Sequence, residues 1–216
     1  MAGHGALAAA LAGALRALHL PPAHLVAHSM GGYVASLVTL QHPELVRSLT
    51  LVDAAILRYP HLPRALAGVI RAVKGPLAAF LDRRMAKPKN WERLLKDSYA
   101  GPVPNEALEG YARPFLVGGI GDTMFSLLTA PARAAVADDL QRIICPVQLL
   151  WGERDETTPL ADGYKLQAAL VRAPGGARLV TFPAGHHPME TCPEAFTQEL
   201  LSWLGEAAGS RTAHTG

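Results

Sequence analysis

Three observations predict an α/β protein with a parallel sheet, interrupted by a helical insertion. Short apolar, β-prone runs alternate with segments of helical spacing near both ends of the chain. Between residues of about 56 and 138 the helical pieces are broken by Pro63, Gly75-Pro76, Pro88, Pro102, Pro104, Pro114, Gly118-Gly119 and Pro131. Between the first strand and the helix after it stands Ser29, followed closely by Gly31 and Gly32, a sharp turn with a hydroxyl at its tip.

In chain order, Leu7, Leu11, Leu15 and Leu18 share one helical face, which predicts an amphipathic helix over about 5–19, ended by Pro21-Pro22. A strand follows at about 24–28. The next helix stops near His42, because Pro43 turns its predecessor away from the helical region. Ser48 to Val52 is a second strand, ending at Asp53. Beyond the insertion, Pro146 to Trp151 reads as a strand and Pro159 to Val171 as a helix, with Thr158 as its cap and proline in its first position. Ala177 to Phe182 is the last strand. Thr191 and Glu194 have capping-box spacing and open a helix to about Leu204, leaving 205–216 as a small, polar, flexible tail. Core segments at 1–55 and 139–204 therefore flank an insertion at 56–138.

Composition bounds the function. With 216 residues, 50% of them hydrophobic and 18% charged, the chain buries a sizeable core. A net charge of +2 implies no nucleic-acid partner. Cys145 and Cys192 have neither metal-site spacing nor the density of a disulfide scaffold, so reduced thiols and a cytoplasmic setting are expected. No segment is long and apolar enough for stable membrane insertion, and the Ala/Leu-rich start lacks the basic lead of a signal peptide.

The stretch Leu25-Val26-Ala27-His28-Ser29-Met30-Gly31-Gly32-Tyr33 carries the chemistry. In a strained strand-to-helix turn the residues two before and two after the serine are small, and Ala27 and Gly31 occupy those places. The helix behind it presents its amide end and positive dipole to the serine, an environment suited to an oxyanion. This resembles the nucleophile motif of the α/β-hydrolase superfamily, with Ala27 where the usual pattern has glycine. The resemblance implies Ser29 as nucleophile and the Met30 amide as oxyanion donor. It argues against the branches resembling haloalkane dehalogenases and epoxide hydrolases, which carry aspartate there. In that family the partners follow in the order serine, acid, histidine. Trp151-Gly152-Glu153-Arg154-Asp155 resembles the acid loop, with Asp155 as the orienting carboxylate. Phe182-Pro183-Ala184-Gly185-His186-His187-Pro188 resembles the histidine loop, with His186 as general base and acid. Asp53 is the fallback acid, since some members place the carboxylate after that strand. His28, Glu190 and Cys192 read as structural.

The resemblance covers nearly all of this chain but about the C-terminal two-thirds of the family fold. No strand or His-Gly loop that would donate a second oxyanion amide precedes Ser29; Gly3-His4-Gly5 runs straight into a helix. A fragment, a chain completed by a partner or by self-association through an exposed sheet edge, and a minimal hydrolase are the three readings. The insertion resembles the family's lid. Tyr59, Phe80, Trp91, Tyr99, Tyr111, Phe115 and Phe125 supply its aromatic surface, mostly for its own packing, with some expected to line a hydrophobic pocket. Its first half is basic: Arg58, Arg64, Arg71, Lys74, Arg83, Arg84, Lys87, Lys89, Arg93 and Lys96 face Asp82, Glu92 and Asp97. Solvated helix faces explain this; attraction of acidic esters would instead show as activity falling with salt.

Together these expectations describe a serine hydrolase acting on a small carboxylic ester or related acyl compound through an acyl-enzyme, with no metal or organic cofactor. The alternative is a truncated, non-catalytic remnant or a partner-completed chain.

Overall fold

The computed structural model describes residues 3–57, 64–129, 136–170 and 176–209. Arg58, Tyr59, Pro63, Pro131, Val171 and residues 210–216 lie outside them. In chain order the elements are α1 (His4–Ala17), β1 (Ala23–His28), α2 (Met30–Gln41), β2 (Val46–Val52), α3 (Arg64–Met85), α4 (Lys89–Tyr99), α5 (Asn105–Ala112), α6 (Ile120–Leu128), α7 (Val136–Asp139), β3 (Val147–Gly152), α8 (Leu160–Leu170), β4 (Ala177–Phe182), α9 (Pro188–Thr191) and α10 (Pro193–Gly209). The chain divides into two compact units, one of Met1–Ala6 with Tyr59–Arg133, the other of Leu7–Arg58 with Ala134–Gly216.

The second unit is built on the sheet. Its strands are all parallel and lie in the order β1-β2-β3-β4 among the described residues. The two central strands are buried on both faces, which is why Leu49, Leu51, Val147, Leu149, Leu150 and Trp151 read as near-continuous apolar runs. On one face Leu49, Leu51, Leu149 and Trp151 pack with Tyr33, Leu37 and Val38 of α2 and Leu166 and Leu170 of α8. On the other, Val52, Leu150 and Phe182 meet Phe196 of α10. The buried Gln148 on β3 is satisfied there, its amide donating to Glu199 Oε1 at 2.8 Å. A polar residue in a central strand is thereby kept paired, as burial requires.

Three local expectations are corrected. On α1 the face turned inward is Ala8, Leu11, Ala12 and Leu15, whereas Leu7 and Leu18 are exposed; the alanines let the helix approach closely. Thr191 does not open the last helix: it ends α9 and its hydroxyl donates to His187 O at 2.9 Å, because Pro188 has already started a turn. α10 then runs on to Gly209.

The first unit is helical. α3 continues through Gly75-Pro76, where a break was expected. A proline removes one intrahelical hydrogen bond, and here the other turns hold. Asp82 of α3 accepts from the amides of Gly119 at 2.8 Å and Gly121 at 2.6 Å, so this carboxylate anchors the start of α6. Gly118 and Gly119 supply the positive φ that this entry needs, 79° and 81°. Trp91 stacks near Tyr111 and Phe115, each with ring centroids 5.5 Å away, and donates to Met85 O at 2.7 Å. Tyr99 is buried in the cluster of Leu95 and Leu108 beside them, while Phe80 is exposed. Lys74 pairs with Asp122 at 3.0 Å.

Candidate active site

Parallel strands bring their C-terminal ends to one edge, and each loop there is tied to the neighbouring strand. The amide of Ser29 donates to Val52 O at 2.9 Å, that of Asp53 to Leu150 O at 3.0 Å, and that of Glu153 to Phe182 O at 2.9 Å. The sheet ladder thus extends one step into each loop. It fixes Ser29, Asp53, Asp155 and His186 on the edge where ligands bind in such sheets.

Ser29 has φ 51° and ψ −122°, a backbone conformation that a serine adopts only when its surroundings impose it. β1 before it and α2 behind it impose the bend, and Met30 opens the helix. Gly31 lies against Ala27 across the turn, and a tighter contact lies at Gly32, against Ala54 after β2. A methyl on Gly31 would sit 3.9 Å from Ala27 Cβ, an ordinary contact, whereas one on Gly32 would fall 2.5 Å from Ala54 Cβ. Gly32, not Gly31, is the position where only hydrogen fits.

Ser29 Oγ lies 2.9 Å from His186 Nε2, and His186 Nδ1 lies 2.7 Å from Asp155 Oδ2. Asp155 is ionised in this arrangement, so Nδ1 carries the ring proton and Nε2 accepts from the serine hydroxyl. His186 and Asp155 are both about 5% exposed, and Ser29 is half-buried. Asp155 also accepts the amides of Thr157 at 2.7 Å and Thr158 at 2.9 Å on Oδ1, and the Thr158 hydroxyl at 2.6 Å on Oδ2. Burial alone would raise this carboxyl; hydrogen bonds from His186 and Thr158 outweigh it and hold Asp155 below its ordinary value.

Thr158 and His28 belong to this site, although the sequence reading made one a helix cap and the other structural. The Thr158 hydroxyl also lies 3.0 Å from Asp53 O and 3.3 Å from His186 Nδ1. An aspartate followed three residues later by threonine was the available signal, since the pair can close a local turn. His28 donates from Nε2 to His186 O at 2.7 Å, and its ring lies 4.6 Å from that of His186. Burial first, and the neighbouring His186, push His28 down to about 4, so it is a neutral donor near pH 7. His187 faces it at 5.1 Å and caps α9 with its carbonyl.

Asp53 does not take the place of Asp155. Its Oδ1 accepts the Gly152 amide at 2.8 Å, and it is wholly buried. Asp53, Asp155 and His186 offer ligand-type atoms within 4.8 Å of one another. The 2.7 Å contact between His186 and Asp155 is nevertheless a hydrogen-bond spacing. Glu190 donates its amide to His187 O, and Cys192, just past the end of α9, donates its amide to Pro188 O. Cys145 is buried, which pushes its thiol up to about 11. No helix among the described residues is long and apolar enough to cross a membrane.

A doubly covered parallel sheet with a strained serine between its first strand and helix, and a histidine loop and an acid loop on the same edge, defines the hydrolase class of α/β proteins. The chain belongs to the alpha/beta hydrolase family, whose model matches residues 2–199. An uncharacterized hydrolase, YugF, of Bacillus subtilis is 26% identical over 200 residues, covering 92% of this chain and 71% of that protein. The pimeloyl-[acyl-carrier protein] methyl ester esterase of Chromobacterium violaceum is 31% identical over 203 residues, covering 88% and 73%. Among solved structures, an esterase from Exiguobacterium antarcticum shares the fold with a TM-score of 0.71 at 19% identity, covering 94% of this chain and 74% of that one.

Proposed function

We propose that this chain is a serine hydrolase acting on a small carboxylic ester or related acyl compound through an acyl-enzyme. The observation that carries the reading is the unbroken contact from Ser29 Oγ to His186 Nε2 at 2.9 Å and from His186 Nδ1 to Asp155 Oδ2 at 2.7 Å. Ser29 Oγ attacks the ester carbonyl while His186 Nε2 takes its proton; Asp155 holds the ring and stabilises the imidazolium. The amide of Met30, at the start of α2, is assigned to the oxyanion. His186 returns the proton to the leaving alcohol. It then takes one from the water that releases the acid.

The methyl ester esterase among the relatives supports ester chemistry. The test is a panel of p-nitrophenyl esters of increasing acyl length, with the acylated protein trapped by acid quench and weighed. Turnover that carries a transient acyl mass on Ser29, and that falls by about three orders of magnitude or more in Ser29→Ala, supports the reading. Turnover that survives in Ser29→Ala sinks it.

A further inference from the structure

Asp53 is a charged residue type at the centre of the site without a role in the chemistry above. It is 0% exposed, and one oxygen, Oδ1, is used by the Gly152 amide at 2.8 Å. The other, Oδ2, is buried and has no partner in ordinary hydrogen-bond geometry among the described residues. The carboxyl of Asp155 lies within 4.8 Å. The charge of Asp155, after burial, raises the Asp53 carboxyl. The surrounding groups are Asp155, His186, the Gly152 amide and Thr158, whose hydroxyl reaches Asp53 O at 3.0 Å; among the described residues no lysine or arginine is named with them.

Two buried carboxyls this close do not both ionise without a cation between them. Their surroundings decide which one keeps the charge. Asp155 has two amides, a hydroxyl and the His186 ring, all donors to an anion. Asp53 has a single amide. Burial, and then the proximity of Asp155, push Asp53 up to about 9 even against that amide, so the pair carries one negative charge on the side of His186.

We propose that Asp53 is a positioning residue of this site, a neutral carboxylic acid that carries its proton on Oδ2 and shares it with Asp155, keeping that carboxylate set on His186. This deepens the serine-hydrolase reading and rests on it. The backbone fits the role as well: Asp53 has φ 42°, a conformation that aspartate and asparagine tolerate better than other residues with a side chain.

Asparagine reproduces the neutral acid, accepting from Gly152 and donating toward Asp155; alanine does neither. The experiment measures the rate of fluorophosphonate labelling at Ser29 against pH for the full chain, Asp53→Asn and Asp53→Ala, with thermal melting to establish that each is folded. Asp53→Ala is expected to label about tenfold more slowly, the worth of one hydrogen bond to a charged group. Asp53→Asn is expected to recover most of that loss with the wild-type pH midpoint. A midpoint displaced about one unit or more to lower pH in Asp53→Asn would mean that a negative charge had been removed, and would overturn the proposal. So would alanine labelling like wild type. Carbon-13 NMR of the Asp53 carboxyl across pH 5 to 8 reads the proton independently of reactivity. An acid that stays protonated at pH 7 supports the assignment even if Ser29 takes no label, in which case the hydrolase reading alone fails; an ionised one overturns it.

Discussion

Gly152 and Gly185 meet backbone to backbone: a methyl group built on Gly152 would overlap the carbonyl oxygen of Gly185. The loop bearing Asp155 and the loop bearing His186 are thereby pressed together, and the Arg154 amide donates to Ala184 O at 2.9 Å across the same seam. Gly152→Ala is expected to cost about 3 kcal/mol or more, since backbone rather than a flexible side chain must yield. Urea denaturation checks the stability. Fluorophosphonate labelling of the variant, where folded, checks that the separation of Asp155 from His186 slows Ser29.

The two glycines after Ser29 are predicted to differ in sign. Gly31→Ala meets an ordinary contact and gains helix propensity, so its stability should lie between unchanged and about 1 kcal/mol higher. Gly32→Ala drives a methyl into Ala54 and should lose about 1–3 kcal/mol. Thermal melts of the pair decide it; equal losses would contradict the packing described.

Removing the Thr158 hydroxyl leaves Asp155 Oδ2 with one donor fewer inside the protein. Thr158→Val is expected to lose about 1–3 kcal/mol of stability and to slow Ser29 labelling, with Thr158→Ser recovering most of both. A valine variant that melts and labels like wild type would remove Thr158 from the site.

Half-buried His28 gives a stability effect with a definite sign. Its folded value of about 4 lies below the ordinary 6.5, so between these the unfolded chain binds a proton that the folded chain refuses. Its contribution is therefore complete above about pH 6.5 and is lost as pH falls toward 4. The stability gap between wild type and His28→Gln should shrink through that window, by up to about 1.4 kcal/mol per pH unit. Asp53 titrates in both proteins and drops out of the difference. Urea midpoints at pH 7, 5.5 and 4.5 test this, and a constant gap would contradict it.

The strands, most helix ends and the three residues in contact at the site were legible in the sequence, because each sits where a β-prone run ends and each run shows its period locally. What was hidden depends on contacts between distant loops. Thr158 looks like a helix cap until its hydroxyl is found on Asp155, and Gly32 looks interchangeable with Gly31 until Ala54 is placed beneath it. Pro76 misled for the opposite reason: a local helix-breaking signal was overridden by the turns on either side of it.

The proposed serine-hydrolase chemistry requires that His186 activate Ser29. Treating the purified chain with a fluorophosphonate and locating the adduct by mass spectrometry tests it most directly. The expected result is stoichiometric modification of Ser29 that disappears in Ser29→Ala and falls by at least about 1000-fold in His186→Ala. A folded protein that takes no label at Ser29, or that labels equally well without His186, would contradict it.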